Sequence, residues 1–465
     1  MKDFLPWKIM HVAVREHLPE LGADARWGGL FLVFWCDSLP VGQASIPTSL
    51  LPLSSLQLAA MAPPLIAQVV GNRLMSTAFQ APLPVEARKQ MPAAPPELAR
   101  LIELERPLET LSRLAPPCNS APGTSSQPTV SVVICTRNRP KSLHKCLSSI
   151  RGLPLQPNEI VVVDNDPSSG VSQAVTAAFP EVRYVAEPRP GLSVARNTGV
   201  RHCGGAIIAF TDDDVMVHPG WTAALRSVFQ DPGVIASTGL VLPAELATQA
   251  QYAFQASGLG WGYRVVDFDQ KFFRSMKHIG VPAWRLGAGA NMAFRREAFE
   301  RVGLFDERLG AGASGCSEDS ELWYRLLAEG HRCRYEPAAV VFHAHRSDWN
   351  GLSDQTYNYM RGHVAALLFQ FDRYKHWGNL YRAFLALPFY LLKVALGSLK
   401  RTLAGYIVDS GKNPPSLPVG KQITGAIAGY GYYWRHRHLC AHYATPAAAR
   451  PGELTPSAGG GNSRV

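Results

Sequence analysis

The chain has 465 residues, of which 46% are hydrophobic and 18% charged, with a formal net charge of +10. That length buries a large core with room for two or three domains, and the composition excludes an intrinsically disordered chain. Eight cysteines (Cys36, Cys118, Cys135, Cys146, Cys203, Cys316, Cys333 and Cys440) form no CxxC pair and no metal-ligand spacing, so they read as reduced thiols of a cytosolic protein.

At the N-terminus Asp3, Pro6, Trp7 and Lys8 interrupt any apolar run, so no signal peptide and no secretion are expected. Leu30 to Cys36 is too short to span a bilayer and suits a buried strand. A short helix is predicted from about Ser54 to Met61, stopped by Pro63 and Pro64. Residues 1–114 thus read as a small accessory α+β domain without chemistry of its own. Residues 115–128, rich in Pro, Ser and Gly, read as a linker.

From Thr129 the pattern turns into strand–helix–strand, over a domain taken as 129–352. Val130 to Cys135 is a β-branched run. Pro140 opens a helix with Leu143, Cys146, Leu147 and Ile150 on one face. Strands follow at Glu159 to Val163, Val182 to Ala186 and Ala206 to Phe210. Strands alternating with helices indicate a mostly parallel α/β sheet, whose ligands gather at the carboxyl ends of the strands. Thr136, Asp164 and Asp212 each fall at such an end.

Phe210-Thr211-Asp212-Asp213-Asp214 is the most informative run. Three carboxylates ending a buried strand repel one another unless a positive partner compensates them. A divalent cation, Mg2+ or Mn2+, bridging to phosphate would do so. The plainer reading is a solvated acidic turn, and the other motifs decide against it. Gly191 forms a turn before a helix carrying Arg196, which suits either a diphosphate or an internal carboxylate. Gly287-Ala-Gly289-Ala-Asn291 lets backbone approach a ligand. Ser317 is placed to cap a helix that Glu318 and Asp319 begin, where a rigidly held carboxylate serves as a general base. His343 and His345 end an apolar strand, where HxH can complete a metal site.

From about 353 to 440 the chain is basic and partly apolar. Between Phe371 and Cys440 ten Lys or Arg residues against Asp372 and Asp409 leave +8, most of the excess. Ala383 to Leu399 is strongly apolar but interrupted by Pro388 and Lys393, which favours an interfacial helix on an anionic membrane over a spanning one. The basic excess lies beside apolar residues and forms no aromatic-interleaved groove, so no nucleic acid partner is expected. Residues 441–465 read as a disordered tail.

Together, Val130 to Arg346 resemble an inverting family 2 glycosyltransferase of the bacterial type. The resemblance implies a GT-A fold, a Rossmann-like α/β sheet, here with a small N-terminal domain and a C-terminal helical region. It implies a nucleotide-diphosphate sugar donor, UDP being the commonest, held by Thr136, Arg137, Arg139, Asp164, Arg196, Asp212, Asp213 and Gly289. It implies a divalent metal on Asp214 and Asp212 with His343 or His345, His343 preferred, and catalysis by Asp319 as base beside Glu318. The acceptor would be a glycan or lipid-linked glycan of the cell envelope, met at the inner face of the membrane. Acceptor choice would lie in Gly239 to Trp284, which includes Trp261, Tyr263, Arg264 and Trp284, at least half of these aromatics being core.

The competing readings are weaker. A nucleotidyltransferase needs a glycine-rich loop after the first strand, and Thr136 to Pro140 has no glycine. A dinucleotide-binding oxidoreductase needs GxGxxG there. A catalytically inactive scaffold or nucleotide-sugar sensor would be expected to lose one of the two acidic motifs, and both are present.

Overall fold

The computed structural model describes residues 4–78, 107–114, 127–258, 262–403 and 417–439. Cys118, Trp261, Lys412, Cys440, most of the expected linker and the expected tail lie outside the described residues.

The N-terminal strands β1 (Trp7–Ala13), β2 (Gly29–Cys36) and β3 (Leu39–Pro47) form a sheet of their own, β1 parallel and β3 antiparallel to β2. Every residue of β2 is buried, because the sheet packs on one side against α1 (Ser55–Ala78) and joins the core of the main sheet on the other. The stop expected at Pro63 and Pro64 does not occur: α1 runs through both prolines. Each proline lacks the N–H that would bond four residues back. Burial of Leu58, Ala62, Ile66, Val69 and Val70 along one continuous face outweighs those losses.

The main sheet has nine strands in the order β10-β12-β9-β11-β7-β4-β5-β6, with β8 on β12. β4 (Val130–Thr136), β5 (Glu159–Asp164), β6 (Val182–Ala186) and β7 (Ile207–Asp212) are mutually parallel. β8 (Val215–Val217), β9 (Val234–Pro243), β10 (Val266–Phe268), β11 (Asn291–Arg295) and β12 (Arg332–His343) complete it. Between the parallel strands run α2 (Pro140–Arg151) and α3 (Leu192–His202); the four apolar residues expected on one face of α2 are all buried.

Register decides what meets at the strand ends. Thr136 pairs with Asp164, Cys135 with Asp212, Asn291 with Thr211, and His343 with Val215. Residues more than 200 positions apart in sequence thereby share one edge. α4 (Glu318–Ala328) points its first turn at that edge, and α5 (Trp349–Tyr374) follows β12 directly. The expected domain boundary at 352/353 falls inside α5, so the helical region grows out of the sheet domain without a break. Next, α6 (Trp377–Tyr381), a π-turn (Arg382–Ala386) and α7 (Leu387–Leu403) run on continuously, and α8 (Val419–His436) returns against α5.

Candidate active site

The triple-aspartate run divides its labour. Asp213 turns inward: Thr136 Oγ1 donates to its Oδ2 at 2.8 Å and Arg139 Nη1 to its Oδ1 at 3.0 Å. Its burial pushes the carboxyl up to about 6, against the pull of Arg139. Asp214 shares the same Arg139 nitrogen at 3.0 Å but also has His343 Nε2 at 3.2 Å from its Oδ1. Burial would raise Asp214 too; the His343 and Arg139 contacts outweigh it and hold the carboxyl at about 2. One arginine shared by two aspartates therefore leaves them with different proton affinities, and the His343 contact, made by Asp214, is the largest cause holding Asp214 low.

Asp212, Asp214 and His343 offer ligand atoms all within 4.8 Å of one another. β8 lies antiparallel to β12, and the Ala344 amide bonds the Asp214 carbonyl at 3.0 Å, so the backbone itself holds the imidazole over the aspartates. Two carboxylates and an imidazole fit a hard to borderline divalent ion, and the nitrogen donor favours Mn2+ over Mg2+. His345 is not brought into the cluster: it is buried against Phe254, with Nε2 3.1 Å from Gln255 Oε1. His345 lies past the end of β12, its Nδ1 3.3 Å from His343 Nδ1, so it backs the ligand histidine without reaching the aspartates.

Opposite stands the acidic start of α4. Arg196, buried in α3, reaches Glu318 Oε1 with Nη1 at 2.5 Å and Asp212 Oδ1 with Nη2 at 3.3 Å. Of the two partners expected for this arginine, diphosphate or internal carboxylate, the fold supplies the carboxylate. Burial raises Glu318 to about 7 despite Arg196. Asp319 is more open to the crevice; its Oδ1 accepts the Ser320 amide at 2.6 Å, and the Gly289 amide bonds it as well. Burial again raises its affinity for a proton, with Arg196 opposing. A Cβ at Gly289 would sit 2.9 Å from Arg196 Nη2 and 3.1 Å from Asp319 Oδ2, so only glycine fits there without a shift.

Ser317 does not cap α4 as the sequence led us to expect. It is left-handed (φ 74°) and makes no capping bond, since its hydroxyl lies 3.1 Å from Cys316 Sγ. The first turn is instead supported by the Asp319 side chain on the Ser320 amide.

On the parallel side of the crevice, Asp164 is fully buried and accepts the Tyr184 hydroxyl at 2.9 Å and the Asp166 amide at 3.1 Å. Arg137 is exposed and only loosely paired, 3.7 Å from Asp166. Sequence reasoning missed Tyr184; its signal was an aromatic hydroxyl on the strand next to the one ending in Asp164. It also missed Asn291 as a lock: the side chain bonds Trp221, Leu240 and Ala339 at once and fixes the small-residue loop. In the stretch expected to choose the acceptor, Tyr263 is core and bonds Gln43, Arg264 is exposed, and Trp284 packs edge-on to His363.

With this geometry established, comparisons with known proteins agree. A family model described as "Glycosyl transferase family 2" matches residues 131–303. A pre-mycofactocin glycosyltransferase of Mycobacterium tuberculosis is 32% identical over 239 residues, covering 49% of this chain and 46% of that protein. The succinoglycan biosynthesis protein ExoM of Rhizobium meliloti is 27% identical over 46% of this chain and 65% of its own length. A glucosyl-dolichyl phosphate glucuronosyltransferase of Haloferax volcanii is 26% identical over 48% and 75%. The match thus spans about half the length of the mycobacterial relative. Among solved structures, a mannosyltransferase of Pyrobaculum calidifontis, bound to GDP-Man and Mn2+, aligns at TM-score 0.43 and 19% identity over 68% of this chain and 90% of its own. The fold is α/β of the GT-A type, a mixed and largely parallel sheet flanked by helices.

Proposed function

From the premise that residues 131–303 are a family 2 glycosyltransferase domain, we propose that this protein is an inverting, metal-dependent glycosyltransferase. It moves a sugar from a nucleotide-diphosphate donor, UDP-linked in the commonest case, to a hydroxyl acceptor. The observation that carries this reading is Arg196, which ties the Asp212 side of the crevice to the Glu318–Asp319 side. A phosphate-binding edge and a carboxylate base thereby face one another.

Asp212, Asp214 and His343 would hold Mn2+ or Mg2+, which when bound neutralises the donor's diphosphate as it departs. Thr136, Arg139 and Asp213 hold Asp214 in place from below. Arg137 lines the edge where the nucleoside would rest, and Asp164, buried and fixed by Tyr184, would hold it from beneath once that edge opens. Asp319 takes the proton from the acceptor hydroxyl. As the acceptor oxygen bonds to the anomeric carbon, the bond to phosphate breaks and the nucleoside diphosphate leaves with the electron pair. A single displacement inverts the configuration without a covalent enzyme intermediate. Glu318, held by Arg196, positions the helix turn that carries Asp319.

We place the reaction in the synthesis of cell-envelope or lipid-linked glycan, at the inner face of the membrane. Support comes from the names of the rhizobial and haloarchaeal relatives, from the basic, apolar C-terminal helices, and from six described cysteines that are all free thiols. The test is donor binding and hydrolysis across UDP-, GDP- and dTDP-sugars, with Mn2+ or EDTA, beside Asp214→Ala and Asp319→Asn. Metal-dependent binding of one donor, lost in Asp214→Ala, with turnover lost in Asp319→Asn, is expected. No binding by folded protein in the presence of metal would favour the inactive scaffold or sensor instead.

A further inference from the structure

The helices that follow the sheet present an apolar surface that sugar transfer does not need. α6, the π-turn and α7 together extend over 377–403, roughly 40 Å at 1.5 Å per residue. One stripe faces inward: Ala383, Leu387 and Leu391 are buried with Val364, Leu367 and Leu368 of α5 and Ala426 of α8. The other stripe faces out, with Trp377, Phe384, Phe389, Leu392 and Leu396 all exposed, Trp377 at 74% and Phe389 at 70%. α8 extends the patch. The Phe384 ring stacks on Tyr430 at 5.2 Å, and the Tyr430 hydroxyl donates to the Ala383 carbonyl. Ile427 and Trp434, one turn to either side of Tyr430, are exposed as well. Soluble monomers rarely leave this many large apolar side chains side by side in water.

The charge around the patch narrows the choice of occupant. Lys393 is exposed within α7, Arg435 and Arg437 are exposed at the end of α8, and the Arg437 guanidinium lies 4.1 Å from the Trp434 ring. The segment 371–440 carries +8. An apolar face edged by cations matches an anionic lipid surface, where long basic side chains reach the headgroups while rings enter the acyl boundary.

Packing also decides orientation. Trp377–Leu399 is long and apolar enough to cross a bilayer by length and composition. Its inner stripe, however, is fastened to α5 and α8, and α5 carries Arg361, Asp372 and Arg373 while α8 carries Lys421 and Arg435. Crossing would drag those charges into hydrocarbon. We propose that α6, α7 and α8 form a docking face for an anionic lipid bilayer and lie in its interface. The root of this face touches the turn that leads to the crevice: Arg382 Nε donates to the Gly280 carbonyl at 2.9 Å, and its guanidinium lies 4.8 Å from the Trp284 ring. Trp284 sits in the turn Ala283–Leu286, which leads into the loop bonded to Asp319. Docking therefore holds the base-bearing side of the crevice near the membrane plane, which deepens the lipid-linked acceptor reading and rests on it for that consequence alone.

The experiment is cosedimentation of the full chain with vesicles of phosphatidylcholine, and of phosphatidylcholine mixed with phosphatidylglycerol. It needs no donor, so its failure and failure of the transferase reading are distinguishable. Wild type should partition into the mixed vesicles, and Phe389→Asp combined with Leu396→Asp should lower partitioning on the order of tenfold or more. Both residues are exposed, so the thermal midpoint should hold and report an intact fold. Lys393→Glu combined with Arg437→Glu should abolish the preference for anionic lipid. Equal partitioning of wild type and the aspartate variant overturns the proposal. So does a concentration-dependent dimer in lipid-free buffer that the aspartates dissolve, which would give the face to a second copy. Resistance of vesicle-bound wild type to alkaline carbonate would show a spanning helix and overturn it equally.

Discussion

Arg196 donates to Glu318 at 2.5 Å with both side chains almost wholly buried. The same guanidinium stands 3.3 Å from Asp212. An ion pair of this kind is costly to bury and costlier to break, because removing one partner strands the other in low dielectric.

Arg196→Met should therefore destabilise the fold by about 3–5 kcal/mol at alkaline pH, and by less as pH falls and Glu318, already raised by burial, takes up a proton. The double variant Arg196→Met with Glu318→Gln removes both charges. It should recover much of the thermal midpoint without recovering turnover. Thermal unfolding beside donor turnover checks this; recovery of both together would show that the pair serves stability only.

Asp319 must be ionised to take the acceptor proton, and its carboxyl is raised above the ordinary value of 3.8 by burial. As pH falls, the ionised fraction is lost earlier than for an exposed aspartate. The acid limb of kcat should lie above the ordinary carboxylate range, and Asp319→Asn should cost on the order of 10²–10⁴-fold in kcat. A pH–rate profile with saturating donor measures both.

Asp213 offers a stability test in metal-free protein. Its folded value, about 6, exceeds 3.8, so its contribution is fully present below pH 3.8 and is lost as pH rises through 6. Asp213→Asn lacks this dependence. Relative to the variant, wild type should lose on the order of 2–3 kcal/mol between pH 4 and pH 7. Urea titrations in EDTA at the two pH values read the difference, and a constant gap would refute the assignment.

Metal binding separates the two histidines. Asp214→Ala and His343→Ala should weaken Mn2+ binding at least tenfold, since each removes a ligand from the cluster. His345→Ala removes only the ring behind His343 and should weaken binding less than His343→Ala does. Electron paramagnetic resonance of free Mn2+ reports the ion directly, without turnover; strong loss in His345→Ala alone would reverse the choice.

Tyr184→Phe removes one hydrogen bond from the buried Asp164. A loss of about 1 kcal/mol, or roughly fivefold in nucleotide affinity, is expected. Calorimetric titration with UDP and GDP checks it. Unchanged affinity for every nucleotide that binds would separate Asp164 from the donor site.

The parallel half of the sheet was legible because it obeys local rules. β-branched runs, the Pro140 helix start and carboxylates at strand ends each declare themselves within a few residues. The acidic motifs were legible for the same reason: three adjacent charges after a buried strand are abnormal wherever they occur. Local rules failed where long-range burial outweighed them. α1 keeps its helix through Pro63 and Pro64 because one face is continuously buried. Ser317 gives up its cap because the backbone before α4 turns left-handed.

What the sequence by itself determined was the fold class and the set of groups able to do chemistry. Only the tertiary structure decided how they are paired: His343 rather than His345 beside Asp214, Asp213 turned inward, Arg196 spent on Glu318, and an apolar helical face left outside. Those choices depend on strand register and on burial between residues up to hundreds of positions apart, and neither is written in any local stretch of the chain.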